Sequence, residues 1–390
     1  MIINNSTSLP IEKKIDQLYA SIHKLIGDIV FEIDALTCEA LENETLNFTT
    51  KGIYHLFGFL KTNNEQQPWS IILKVIKPDS EEKDDIQHHN YWCREALLFE
   101  SKLLDHLSEY IKTPKTYLVE EQNDGTIWLW MERVNGCFAN SKEQFDFIAN
   151  RLGMFNAEYL TVKAIPNESW VCKSWLKSWT TSSRMYAPNP ESYINQIQDQ
   201  EVKYIWDWFK KLTEELNEKL ASLSNLPRVL AHQDLGQKNM FLTPNEQVVL
   251  IDWRFMSISG IGEDLGKMFG VNMSLGIIPT DQYEDYRDSL FYSYIKGMRE
   301  MGWEGDERLA RYGYCISTAL RSIWEVPQLC SLAAQLESNP TNPKLQDRVY
   351  QLKQIINIHK VMEYEANSLR EHIGILITQY SRCGPDGPLV

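Results

Sequence analysis

Three oxygen-bearing side chains are spaced for chemistry in one stretch of the chain. His232-Gln233-Asp234 opens a polar loop, Asn239 follows five residues after Asp234, and an apolar run ends on Asp252-Trp253. A short apolar strand precedes His232. Met240–Leu242 and Val248–Ile251 read as two further strands around a turn at Pro244-Asn245. Side chains at such strand ends can converge on one point. Two carboxylates and one amide oxygen suit a hard divalent cation such as Mg²⁺, which prefers oxygen ligands and keeps open positions for phosphates. An acidic turn pair on a hairpin would account for Asp234 and Asp252 separately, but not for Asn239, Trp253 and the later Gly262-Glu263-Asp264-Leu265 run together.

The elements that must position these groups occur in order along the chain. Pro10 to about Ala40 carries Ile15, Leu18, Ile22, Leu25 and Ile26 at helical spacing. Residues 44–60 read as two strands around Thr49-Thr50-Lys51-Gly52. Trp69 to Lys77 is an apolar strand whose Lys74 sits within the run, where a lysine must meet anions. Asn90 to Leu107 is a helix with Glu95 and Glu100 flanking its apolar stripe, and either could pair with Lys74. Thr116–Val119 and Ile127–Met131 form a strand pair around Asn123-Asp124-Gly125. Beyond Gly136 the pattern is helical: Phe145–Leu160, Glu201–Leu220, Leu309–Trp324, a break near Pro327, and Leu345–Arg370.

H-x-D-x4-N followed by I-D-W and G-E-D-L resembles the aminoglycoside phosphotransferase and choline kinase superfamily, a branch of the protein-kinase-like fold. That resemblance implies a bilobed α+β fold with a small antiparallel-sheet N-lobe and a mostly helical C-lobe. The expected organisation is a helical extension over 1–40, a nucleotide-binding lobe over 41–134, and a catalytic and acceptor-binding lobe over 135–390. Asp234 would be the catalytic carboxylate, with His232 and Asp264 bracing its loop. Asn239 and Asp252 would hold Mg²⁺. Lys74, oriented by Glu95, would meet the phosphates of ATP or GTP, covered by the loop at Gly52. Met131, Glu132 and Val134 would form the hinge that reads the base through backbone groups.

The resemblance implies transfer of a phosphoryl group to a hydroxyl of a small molecule: a cationic antibiotic such as an aminoglycoside, or an amino alcohol or sugar. Protein kinases usually carry a lysine two residues after the catalytic aspartate, and here that position is Gly236. This disfavours a peptide, protein or lipid-headgroup acceptor. A nucleotide-binding regulatory pseudokinase is disfavoured because the lysine, aspartate and metal positions are all filled. Trp175, Trp324 and Glu325 are the candidates for an acceptor pocket, since tryptophans beside a carboxylate suit an amine.

Composition sets outer bounds. With 43% hydrophobic residues the chain has enough apolar material for a large interior. No apolar run reaches the ~20 residues of a membrane span, and the N-terminal stretch lacks a secretory pattern. Seven scattered cysteines without a C-x2-C pair indicate reduced thiols, as in a cytoplasm. A net charge of -14 argues against nucleic acid as a partner. The oligomeric state is not legible.

Overall fold

The computed structural model describes residues 1–41, 49–62 and 65–383, with side chains through Arg370. The expected strand residues 44–48 and the Cys383 side chain lie outside that set. Two compact units result, Met1–Cys137 with Phe241–Arg254, and Phe138–Met240 with Phe255–Val390. Among the described residues, no helix is long and apolar enough to cross a membrane.

The first unit is built on a six-stranded sheet in the order Ile2–Asn5, Phe31–Ala40, Thr50–Thr62, Glu65–Ile76, Ile127–Glu132, Thr116–Glu121. The first pair is parallel and the rest are antiparallel. The helix Ile15–Ile26 lays Leu18 and Ile22 on one face of this sheet, against Leu56, Leu73, Val75 and Trp130. It stops at Gly27, which takes φ 79° and donates its N–H to the His23 carbonyl. The expected helical extension therefore ends well before Ala40. Phe31–Ala40 is a strand with Ile33, Leu36 and Cys38 buried. A bulge between Ile33 and Ala35 shifts its alternation by one residue, which masks the period-two signal in the sequence.

The helix expected over 90–107 is shorter. It runs Arg94–Ser101, ends where Lys102 turns left-handed at φ 56°, and continues as a single tight turn Leu103–His106. The segment Phe241–Arg254 packs with this first unit rather than with the helices that surround it in sequence. Its strand Val248–Leu250 pairs in parallel with Ile111–Lys112.

The second unit is mostly helical. Lys142–Thr161 and Tyr283–Glu300 pack very closely: a Cβ on Gly153 would lie 2.0 Å from the Tyr294 carbonyl oxygen, and one on Gly297 would lie 2.0 Å from that of Asn150. Any side chain there would push the pair apart. The expected helix over 201–220 is two, Gln200–Glu214 and Leu216–Ser224, joined at Glu215. Near the C-terminus the expected break at Pro327 falls earlier. Glu307–Ala319 ends, and tight bonds from Ile323 N–H to Leu320 and from Trp324 N–H to Arg321 restart the chain as Ser322–Ser338, with Pro327 inside that helix. The strand Arg228–Ala231 pairs antiparallel with Ser257–Gly260 and delivers the chain to His232.

Candidate functional site

In the first unit, Lys74 is the organising residue. It lies on the Glu65–Ile76 strand, and its side chain is only 6% exposed. Its ammonium donates to Glu95 Oε2 at 2.5 Å and to Asp252 Oδ1 at 2.9 Å. Burial works against the Lys74 charge, but the two carboxylates outweigh it, and its pKa lies above the ordinary value. Glu95 is buried in the first turn of its helix, whereas Glu100 is exposed, so Glu95 is the partner.

Two arginines hold this arrangement from behind. Arg94, wholly buried, donates to the carbonyls of Ile86, His88, His89 and Arg254. Arg254 places its Nε 3.5 Å from Asp252 Oδ1. Asp252 itself has φ 62°, an unusual conformation for a residue with a side chain. Trp253 is fully buried and donates to the Leu250 carbonyl at 2.8 Å, closing the turn that aims Asp252.

Gly52 pairs with Val75, and the Tyr54 hydroxyl lies 2.6 Å from where its Cβ would be. Met131 is buried in the ladder opposite Ile72. Glu132 uses its backbone N–H and its carboxylate on Lys115. Val134 lies past the last ladder pair, so its backbone groups are not used by the sheet.

In the second unit, Asp264 fixes the loop that carries Asp234. Its two carboxylate oxygens accept the backbone N–H groups of His232 and Gln233, each at 2.8 Å. Burial pushes the Asp264 carboxyl up to about 6 in spite of those two bonds. His232, also buried, accepts the Asp234 N–H on Nδ1 at 3.1 Å, which makes Nε2 its protonated nitrogen. Gln233 has φ 61° and donates its side-chain amide to Ser259. Asn239 donates Nδ2 to the Asp234 carbonyl at 2.9 Å. That bond orients its amide and leaves Oδ1 as the oxygen to offer a cation.

Several supports were not legible in the sequence. Asn272 accepts the Gln237 N–H at 2.7 Å and donates to the Leu235 carbonyl at 2.9 Å, clamping the loop from the Glu263–Ser274 helix. Asn156 donates to Leu230 and accepts the Tyr294 hydroxyl. Both are wholly buried asparagines. Each sits two helical turns or more from any motif, and nothing in a lone asparagine marks it as a loop brace.

The acceptor candidates have three different surroundings. Trp175 is buried, stacked on Trp179 at 5.9 Å and beside Phe255, with the Lys267 ammonium 4.9 Å from its ring centroid. That ammonium occupies a position a cationic acceptor would need. Glu325 is buried and engaged by Ser274 and Arg321. Trp324, its neighbour, is 39% exposed.

Comparison with known proteins bears on this geometry. A family model described as "Phosphotransferase enzyme family" matches residues 70–303, well over half of the chain. The chain belongs to that phosphotransferase family. A search of curated proteins gave no match in sequence. Among solved structures, amicoumacin kinase hAmiN in complex with AMP-PNP, Ca²⁺ and Ami is similar at 14% identity with a TM-score of 0.53, covering 90% of this chain and 96% of that one. A choline kinase from Cryptosporidium parvum Iowa II gives 14% identity and a TM-score of 0.49, covering 94% and 99%. The GDP complex of wild-type aminoglycoside 2′-phosphotransferase-IIIa gives 14% identity and a TM-score of 0.44, covering 89% of this chain and 98% of that one.

The likeness to amicoumacin kinase establishes the protein-kinase-like fold of this phosphotransferase, an α+β chain with a sheet-rich N-terminal unit and a helical C-terminal one. The match spans Lys74, Glu95, Asp234, Asn239, Asp252 and Asp264 alike.

Proposed function

We propose that this phosphotransferase moves the γ-phosphoryl group of ATP or GTP to a hydroxyl of a small molecule, with Mg²⁺ as cofactor. The observation that carries the reading is the buried Lys74 ammonium held between Glu95 and Asp252. A lysine fixed in this way can meet nucleotide phosphates without first paying for its own ordering. Phosphoryl transfer passes through a loose, highly charged transition state, so positioning and neutralisation are most of the catalysis.

Asp234 aligns the acceptor hydroxyl and takes its proton as the bond to phosphorus forms. Asp264, His232 and Asn272 hold the Asp234 loop in one conformation. Asp252 and the Oδ1 of Asn239 are hard oxygen donors that fit Mg²⁺, which characteristically takes one or two protein oxygens and completes its shell with phosphates and water. Mg²⁺, when bound, neutralises charge developing on the phosphate oxygens. The loop at Gly52 covers the phosphates, and Met131, Glu132 and Val134 form the hinge beside the base. Trp324, Glu325 and Trp175 are the acceptor-side residues to examine, and a hydroxylated antibiotic, amino alcohol or sugar is the acceptor class.

The test is a mass-spectrometric screen of purified protein with Mg²⁺ and either ATP or GTP against aminoglycosides, other hydroxylated antibiotics, amino alcohols and sugars. A gain of one phosphate on an acceptor, absent with Asp234→Ala, supports the reading. Failure to bind either nucleotide overturns it.

A further inference from the structure

The sheet of the first unit has a second concavity, on the face opposite Lys74. Val75 lines it, and because side chains alternate along a strand, Val75 and Lys74 point to opposite faces. The concavity has a volume of about 530 Å³, in the range of small-molecule sites. Its floor is aromatic: Trp128, which pairs with Val75 across the sheet, and Tyr54. Its rim carries Lys13, Lys14 and Lys51, against one lining carboxylate, Asp124.

In a chain of net charge -14, three ammonium groups around one pocket are a local reversal of sign. They are not equally committed. Lys14 is bound to Glu120 at 2.6 Å and lies 5.4 Å from the Trp128 ring centroid. Lys51 meets Asp124 at 3.2 Å, but both side chains are more than half exposed, so the pair is weak and exchangeable. Lys13 is exposed and makes no ion pair among the described residues.

The wall that carries Lys13 is built rather than loose. Asn5 accepts the Thr7 N–H and donates to the Leu9 carbonyl at 2.8 Å, and Thr7 Oγ1 accepts the Leu9 N–H. The opposite wall is a turn in which Asp124 accepts both the N–H and the hydroxyl of Thr126. These bonds set the spacing between the rim lysines and the aromatic floor.

We propose that this concavity is a binding site for a small planar anion, such as an aromatic carboxylate, sulfonate or phosphate ester. The rings of Trp128 and Tyr54 take the planar body, and Lys13 with Lys51 takes the charge. The site is separate from the one at Lys74, with which it shares a strand but no side chain.

The test uses 8-anilinonaphthalene-1-sulfonate as the probe, titrated by fluorescence into the intact protein. Saturable binding at one site per chain is expected. Lys13→Glu weakens it roughly tenfold by removing one attraction and adding a repulsion, whereas Lys13→Arg stays within about twofold. Saturating Mg·ATP leaves the probe bound. Absence of saturable binding, an unchanged affinity in Lys13→Glu, or displacement of the probe by Mg·ATP would each overturn the proposal.

Discussion

Replacing Asp264 with Asn separates the stability of this protein from the geometry of the loop that carries Asp234. Each Asp264 oxygen accepts one backbone N–H, from His232 and from Gln233, at 2.8 Å. An Asn side chain has a single acceptor oxygen, so one of those N–H groups would face an NH₂ group instead. An orphaned buried donor costs about 1 to 3 kcal/mol. Against this stands the cost of the buried charge. The Asp264 carboxyl is pushed from 3.8 to about 6, some two units, and burial is the cause. Two units correspond to about 3 kcal/mol by which the ionised form is disfavoured relative to water.

Asn resembles the neutral acid and escapes that penalty. The two effects nearly cancel at pH 7, so Asp264→Asn is expected to change global stability by no more than about 2 kcal/mol. The loop does not escape. Loss of one of its two anchors moves Asp234, and a displacement near 1 Å costs turnover roughly 100-fold. The sign of the pH dependence follows from the raised pKa. The Asp264 contribution to wild-type stability is full below 3.8 and is lost as pH rises through about 6. The stability difference, wild type minus variant, therefore falls by about 2 kcal/mol between pH 4 and 7. Urea unfolding across that range, beside a coupled assay of nucleoside diphosphate release, reads both quantities. A variant with wild-type turnover, or a difference that does not change with pH, would refute the reasoning.

Other consequences can be checked alongside. Glu95→Gln breaks a buried ion pair but leaves Lys74 facing Asp252, so thermal unfolding should show a loss of about 3 kcal/mol with weaker nucleotide binding, while exposed Glu100→Gln changes neither. Asp252→Ala should weaken Mg²⁺-dependent nucleotide binding by about 100-fold and leave the much weaker binding in EDTA nearly unchanged, as read by calorimetric titration. Burial holds His359 down to about 4, so its contribution is present above 6.5 and lost as pH falls through about 4. Wild type should lose up to about 3 kcal/mol across that window, and His359→Gln should lack this slope in chemical unfolding.

The candidate donor-side residues stand out in the sequence because they lie at fixed short spacings. Asp234 and Asn239 share one loop, and Asp252 ends the next strand pair, so all three fall within one short stretch of sequence. Lys74 stood out as a charge inside an apolar run. Its partner was ambiguous because Glu95 and Glu100 flank the same stripe of one helix, and only the fold shows that Glu95 is buried against Lys74 while Glu100 is exposed. The strand Phe31–Ala40 was hidden by its bulge, which breaks the alternation that identifies a strand. The asparagine clamps were hidden for a different reason. Asn272 and Asn156 act over tens of residues through single hydrogen bonds, and such contacts leave no periodic trace. The acceptor side was the least legible, since a tryptophan at helical spacing reads the same whether it packs a core, as Trp175 does, or stands exposed, as Trp324 does.

The central claim is that Asp234 carries phosphoryl transfer on a loop held independently of it. The most direct measurement is transfer of labelled γ-phosphate by wild type and Asp234→Ala, with nucleotide affinity measured on the same samples. The account predicts that transfer falls by about three orders of magnitude or more while nucleotide affinity stays within about threefold. Transfer by Asp234→Ala at a rate near that of wild type would contradict it.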